Sequence, residues 1–374
     1  MTESSHPSRP PLAACDGCLA RTWLIARVAG HLDVIRGRAA DVLGLDDDEL
    51  LGVVAGRERP AIERDRAAFD AELARVTARR VGVAVVCRCH PLYPARLRDL
   101  PAPPAALHVA GAAERLLAAC AADPVAVVGT RGPSPYGIDM AASLSRQLAC
   151  AGVAVISGMA RGIDSVAHAA ALGAEGGGTV AVLPAGAERP YPRSKRALYG
   201  SLVRAGAVVS ELPPQTPVRR WMFTARNRII AALATATVVV EAGERSGALV
   251  TARAARDLGR PLGAVPGRVT TPQAAGPHAL LRDGAALIAN AGDVLDLLFA
   301  AGLRADRGRV PVDVRESPSA SQAVLLRELD GASDVITALA RAGLGVDRGL
   351  SELAALELAG WVRRGPGGTY TVIP

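Results

Sequence analysis

A length of 374 residues exceeds one small domain and predicts two or three; half of the chain is hydrophobic but only 3% is aromatic, so its cores must rest on Ala, Val and Leu. The formal charge of +7, with a pI near 9.5, favours polyanionic partners. No apolar run reaches the ~18 residues that would suggest a membrane span, and Lys195 is the single lysine among 43 basic residues, which makes arginine identity alone weak evidence of a site.

Residues 1–14 read as a disordered tail; T-E-S-S-H-P-S-R-P-P lacks the apolar core of a signal peptide, so a cytoplasmic protein is expected. Short helical patterns over 15–58 predict a small helical domain of the SAM or helix-hairpin-helix kind, and Asp46 three residues before Glu49 has the spacing of a capping box. Ile62–Arg80 reads as one charged amphipathic helix. Two short strands, Val81–Val86 and Ala106–Val109, flank the proline-rich connector C-R-C-H-P-L-Y-P-A-R-L-R-D-L-P-A-P-P and are expected to add an edge to the main sheet. Cys15 and Cys18 have zinc-ligand spacing, but the only plausible partners, Cys87 and Cys89 with His90 nearby, form an unusual C-x-C pair about seventy residues away, so no metal or other cofactor is expected. In a reducing compartment the six cysteines are expected to be mostly free.

From Pro124 the chain alternates short, continuously apolar strands with helices, which predicts an α/β fold whose residues 60–300 form an extended Rossmann-like parallel sheet. Val125–Val128 is followed by Gly129, Thr130, Arg131, Gly132 and Gly137, and Val153–Ile156 by Ser157, Gly158, Arg161 and Gly162. Each turn frees backbone N–H groups at a helix N-terminus and carries one arginine, which describes an anion site. Ligands in such sheets gather outside the carboxyl ends of the strands. Between Gly186 and Ile230 nine basic residues face two acids, with Tyr191, Tyr199, Trp221 and Phe223 interspersed, a mixture suited to neutralising phosphates and stacking unpaired bases. Asn227, between Arg226 and Arg228 in the first turn of a helix expected to begin near Ala225, is expected to tie down a neighbouring loop while one of those arginines meets the ligand. Glu211 and Glu241, each ending a strand, are expected to orient Arg131, Arg161 or Arg226. Asp164 and His168 share a helix face, but with no nucleophile beside them they read as a backbone acceptor and a packed histidine. There is no G-x-x-x-x-G-K-[ST] and no G-x-G-x-x-G, so neither a P-loop ATPase nor a dinucleotide site is expected.

Residues 301–320 read as a linker, and 321–374 as three helices and a short hairpin, the order of a winged helix-turn-helix. Its natural recognition helix, 349–359, carries Glu352 and Glu357, which leaves protein contact and DNA contact both open.

The motifs V-V-G-T-R (127–131), S-G-M-A-R-G-I-D (157–164), Y-P (191–192), S-E (210–211), R-N-R-I-I (226–230), S-G-A-L-V-T-A (246–252) and V-P-G (265–267) make the chain resemble the DNA-processing protein A (DprA, also called Smf) family. The resemblance implies a non-enzymatic, homodimeric protein that binds single-stranded DNA and helps to load the RecA recombinase in natural transformation. It implies DNA contact through Gly129, Thr130, Arg131, Ser157, Gly158, Arg161, Gly162, Lys195, Phe223, Arg226 and Asn227. The chain departs from the family pattern at Thr224, where proline is usual after the phenylalanine, and at Ser194 and Lys195, where the asparagine after Y-P is not obvious. The alternative is a nucleoside-monophosphate enzyme of the phosphoribohydrolase type, whose P-G-G-x-G-T-x-x-E run is reduced here to G-G-G-T at 176–179.

Overall fold

A computed structural model describes residues 14–35, 39–174, 176, 178–300, 318–331, 334–365 and 368–373. Most of the expected N-terminal tail and linker (1–13 and 301–317) therefore lies outside the described residues. The chain divides into two units, residues 1–308 and 309–374. None of the described helices is long and apolar enough to cross a membrane.

The first unit is built on a nine-stranded sheet: β1 (Val83–Cys87), β2 (Ala106–Gly111), β3 (Val125–Val128), β4 (Val155–Ser157), β5 (Thr179–Val182), β6 (Ala207–Ser210), β7 (Ala236–Val239), β8 (Leu262–Ala264) and β9 (Ala286–Leu287), in the spatial order β1-β2-β6-β5-β4-β3-β7-β8-β9. From β6 to β9 every pairing is parallel, and the helices between strands supply the crossovers. The expectation of a parallel sheet needs one correction. β2 runs antiparallel to β6, and β1 antiparallel to β2, so the predicted edge is an antiparallel flap on a parallel core. A proline-rich connector with only a short 3-10 turn can reverse a chain, whereas a parallel return needs a full crossover.

The central strands are apolar throughout because both faces are covered. In β3, Ala126 and Val128 join the core on one face with Ile156, Val182 and Ile230, while Val125 and Val127 join the other with Met140, Leu144, Leu148 and Val294. Five short helices (Asp16–Arg27, Ala29–Leu32, Ala39–Val42, Asp47–Val54 and Arg59–Ala67) form the N-terminal helical part, and the Asp46–Glu49 capping box forms as expected. Their core includes Leu24, Ile25, Leu50 and Ile62 and continues into Trp221, Met222 and Ala225, so this part packs directly on the helix Trp221–Leu233. The single helix expected over Ile62–Arg80 is two, Arg59–Ala67 and Ala71–Arg80. Asp70 breaks it, because its carboxylate accepts the backbone N–H groups of Glu72 and Leu73 at 2.8 and 3.0 Å and so caps a new helix.

In the second unit the helices Ala320–Gly331, Val335–Arg341 and Val346–Leu358 precede an antiparallel hairpin of β10 (Val362–Arg364) and β11 (Tyr370–Val372). Leu325, Leu339, Leu353, Leu356 and Val362 form its core. The element order is the one expected of a winged helix.

Candidate functional site

Strands β4, β5 and β6 follow β3 in one direction across the sheet, and β7 returns to pair with the opposite side of β3. That reversal is the topological switch point, where diverging loops leave a crevice. A cavity of about 580 Å³ opens there, between the loop after β3 (Gly129, Thr130, Arg131) and the loop after β7 (Arg245, Ser246, Gly247). A second, of about 170 Å³, continues over β4 to the loop after β5, with Arg161, Pro184, Tyr191 and Ser194 in its wall. Arg131, Ala160, Phe223 and Arg226 line both, so the two form one groove along the carboxyl edge of the sheet. Arg131, Arg161 and Arg226, from three separate segments, meet in this wall.

Two glycines make the convergence possible. Gly162 holds φ 81°, and a Cβ there would lie 2.3 Å from the carbonyl oxygen of Thr130, so the second loop closes down on the first only without a side chain. At Gly158 a Cβ would fall 2.3 Å from Arg226 Nη1. That space is filled by the guanidinium, which donates from Nη1 to the carbonyls of Gly158 (2.7 Å) and Val182 and from Nε to Asn227 Oδ1 (3.2 Å). Arg226 is thus buried and pinned, and burial lowers its pKa to about 10, opposed by the nearby Asp164 carboxylate and assisted by Arg131. Asp164 accepts the N–H of Gly158 at 3.1 Å and of Ala160 at 3.4 Å, which fixes the second loop, and burial raises its pKa. Helix Trp221–Leu233 starts earlier than expected, which puts Asn227 in its second turn and not its first; from there it donates to the carbonyl of Gly247 at 3.1 Å and ties the helix to the segment after β7, the tie expected of it.

The exposed cations differ. Arg131, Arg161 and Arg245, and the half-buried Lys195, take part in none of the ion pairs among the described residues. Arg131 lies over the Phe223 ring, 5.4 Å from its centroid, and Phe223 in turn meets Tyr191 with centroids 5.2 Å apart at 56°. The groove therefore offers unpaired guanidinium groups beside two aromatic faces.

Several expectations change. Glu241 does not orient an arginine; it accepts from Ser134 N (2.9 Å) and Ser134 Oγ (2.5 Å), holding the first loop at the start of helix Pro135–Cys150. Glu211 holds Arg228 at 2.5 Å, and Arg228 also donates to the carbonyl of Ala102 at 2.6 Å, so the pair clamps the proline-rich connector outside the groove. A helix rotates successive residues by about 100°, so Arg226 and Arg228 diverge. Ser157 is buried, its Oγ donating to the carbonyl of Val127 at 2.7 Å, and it holds two strands together without lining the groove. Lys195 ends the short 3-10 turn Arg193–Lys195 beside Ser194 but is not itself in the groove wall. Trp221 and Tyr199 are spoken for, donating to the carbonyls of Ala29 and Ala187, each at 2.9 Å. His168 is buried with Nδ1 2.7 Å from Thr179 Oγ1, and burial lowers its pKa to about 3, as a packed neutral histidine requires. Arg245 was not anticipated; the signal was E-R-S-G, a cation just before a helix that Ser246 caps.

Residues 84–299 match the family described as DNA recombination-mediator protein A. The chain is 44% identical over 237 residues to the putative DNA processing protein DprA of Mycobacterium tuberculosis; the match covers 63% of this chain and 61% of that protein's length. Among solved structures it is similar to DNA processing protein A of Streptococcus pneumoniae (TM-score 0.61, 29% identity, 75% of this chain and 95% of that one). It is similar also to DNA processing protein A of Helicobacter pylori, described for its unique single-stranded DNA binding mode (TM-score 0.51, 28% identity, 56% of this chain and 94% of that one).

Proposed function

Since the chain belongs to the DNA recombination-mediator protein A family, we propose that its groove binds single-stranded DNA without chemical change, in the cytoplasm, and that the chain acts as a pair of copies that shields the strand and hands it to a RecA-type recombinase. The observation that carries the reading is the meeting, in one wall, of Arg131 and Arg161, which have no ion-pair partner among the described residues, with the tilted rings of Phe223 and Tyr191. Phosphates are neutralised by the guanidinium groups while unpaired bases find aromatic partners, and neither interaction depends on base identity. A duplex keeps its bases stacked inside and presents only phosphates to such a wall.

The acid–base pair that the sequence suggests, Asp164 and His168, is poorly placed to move protons. Asp164 accepts backbone N–H groups, and His168 is held neutral beneath the loop. The test is fluorescence anisotropy of a labelled single strand of about 30 nucleotides, against the matching duplex and AMP, across a salt series. Tighter binding of the single strand with a steep salt slope supports the proposal. Equal or tighter binding of the duplex, or binding of AMP with turnover, overturns it.

A further inference from the structure

Cys15, Cys18, Cys87 and Cys89 come together at the junction between the N-terminal helices and β1, with all four Sγ atoms within 4.8 Å of one another. We propose that they hold one zinc ion as a closed tetrathiolate that staples the helical part to the sheet. Four thiolates at about 2.3 Å from a tetrahedral zinc lie about 3.8 Å apart. Cys18 and Cys89 are 3.8 Å apart and Cys15 and Cys87 are 4.0 Å apart, close to that edge length and nearly twice the ~2.05 Å of a disulfide bond. A single ion fits this spread; a multi-iron cluster needs its thiolates further apart.

The local fold explains why both spacings work. Cys15 caps helix Asp16–Arg27 and Cys18 lies in its first turn, three residues on, so both sulfurs sit at one helix end. Cys87 is the last residue of β1 and Cys89 follows in the turn that His90 N closes on the Cys87 carbonyl at 2.8 Å. That turn folds Cys89 back beside the end of the strand, so C-x-C delivers two ligands at one place. The pairs are 72 and 71 residues apart, and helix Ala71–Arg80, which leads into β1, holds the start of the first helix through Arg75, a donor to the Ala14 carbonyl at 2.9 Å.

The surroundings suit the charge of a zinc tetrathiolate. Cys15 N donates to Cys87 Sγ at 3.4 Å, and the positive end of the helix faces the sulfurs. Cys18 and Cys87 are buried among Ala14, Leu19, Ala105 and Ala106, with Phe69 packed on the outside. With four protein ligands there is no open position for chemistry, so the role is structural. Zinc entry displaces the thiol protons to solvent and forms four Zn–S bonds, with no change of oxidation state.

The test uses the full chain purified under reducing conditions. One zinc per chain by elemental mass spectrometry is expected, with the sulfur-to-cobalt charge-transfer bands of a tetrathiolate after exchange with cobalt. Of the six cysteines, Cys15, Cys18, Cys87 and Cys89 should be closed to a thiol reagent until the metal is chelated. Cys120→Ser and Cys150→Ser keep the zinc, and the double substitution Cys18→Ser with Cys87→Ser abolishes it. A folded wild-type chain that takes up neither zinc nor cobalt, whose Cys15, Cys18, Cys87 and Cys89 react without chelation, that carries iron, or whose four cysteines are joined as disulfides overturns the proposal, whether or not the double variant folds.

Discussion

Replacing Arg131 with alanine separates a cation offered to a ligand from one that holds the protein together. Arg131 is exposed, and its ring contact with Phe223 at 5.4 Å is of a kind worth about 0.5–1 kcal/mol at the surface, so R131A is expected to unfold within about 1 kcal/mol of the wild type. Binding is a different matter. A charge-assisted hydrogen bond to phosphate contributes about 1.5–3 kcal/mol, which predicts about 10- to 150-fold weaker binding of single strands of any sequence. If Arg131, Arg161 and Arg245, which line the groove, each neutralise one phosphate, log K falls with log salt at a slope of about −2.1, and R131A brings it to about −1.4. Anisotropy titrations at four or more salt concentrations, with urea unfolding of the same preparations, read both quantities. A folded R131A variant with wild-type affinity and slope refutes the assignment of Arg131 to the phosphate path.

Gly158→Ala places a methyl group 2.3 Å from a guanidinium that three oxygens hold, and the displaced bonds and overpacking predict a loss of about 2–4 kcal/mol; an unchanged urea midpoint contradicts this. Phe223→Ala removes one stacking face, so affinity for single strands should fall by about 1–3 kcal/mol with the salt slope unchanged, and a fall in slope like that of R131A counts against a stacking role. The pKa of His168 falls from about 6.5 in the unfolded chain to about 3 on burial. The unfolded chain therefore takes up a proton that the folded one refuses, so stability from His168 is complete above about pH 6.5 and is lost as pH falls from there. His108, lowered to about 4, adds loss in the same direction, and Asp164 is common to both chains in a comparison with His168→Gln. That variant should show a shallower decline in urea-measured stability between about pH 7 and pH 5; a decline equal to the wild type's removes His168 as a cause.

The sheet was legible because β-branched runs buried on both faces leave no alternation to misread, and the glycine turns stood out because close backbone approach tolerates little else. Residues 127–131 and 157–164 therefore pointed to the groove directly. What the sequence left open depends on direction and on distance along the chain. Spacing placed Arg226 and Arg228 two residues apart but did not say that one turns under Gly158 and the other toward Glu211. Glu241 was expected to meet an arginine, since charge suggests charge, yet a serine hydroxyl and its amide satisfy it without a counter-ion. The cysteine pairs looked unrelated because some seventy residues separate them and only the fold sets the end of β1 beside the start of helix Asp16–Arg27. The break at Asp70 was hidden by an amphipathic pattern that runs through it, the competing signal being a single carboxylate.

The guanidinium lodged beneath Gly158 also makes history matter at two positions distant in sequence. A lineage that gains a side chain at 158 must first give up the arginine at 226, and one that has filled 158 has closed the way back to it. Drift at either position is therefore a ratchet. In a randomised library of this chain, survivors with alanine or serine at 158 are expected to carry a shorter residue at 226, while every survivor that keeps Arg226 keeps the glycine.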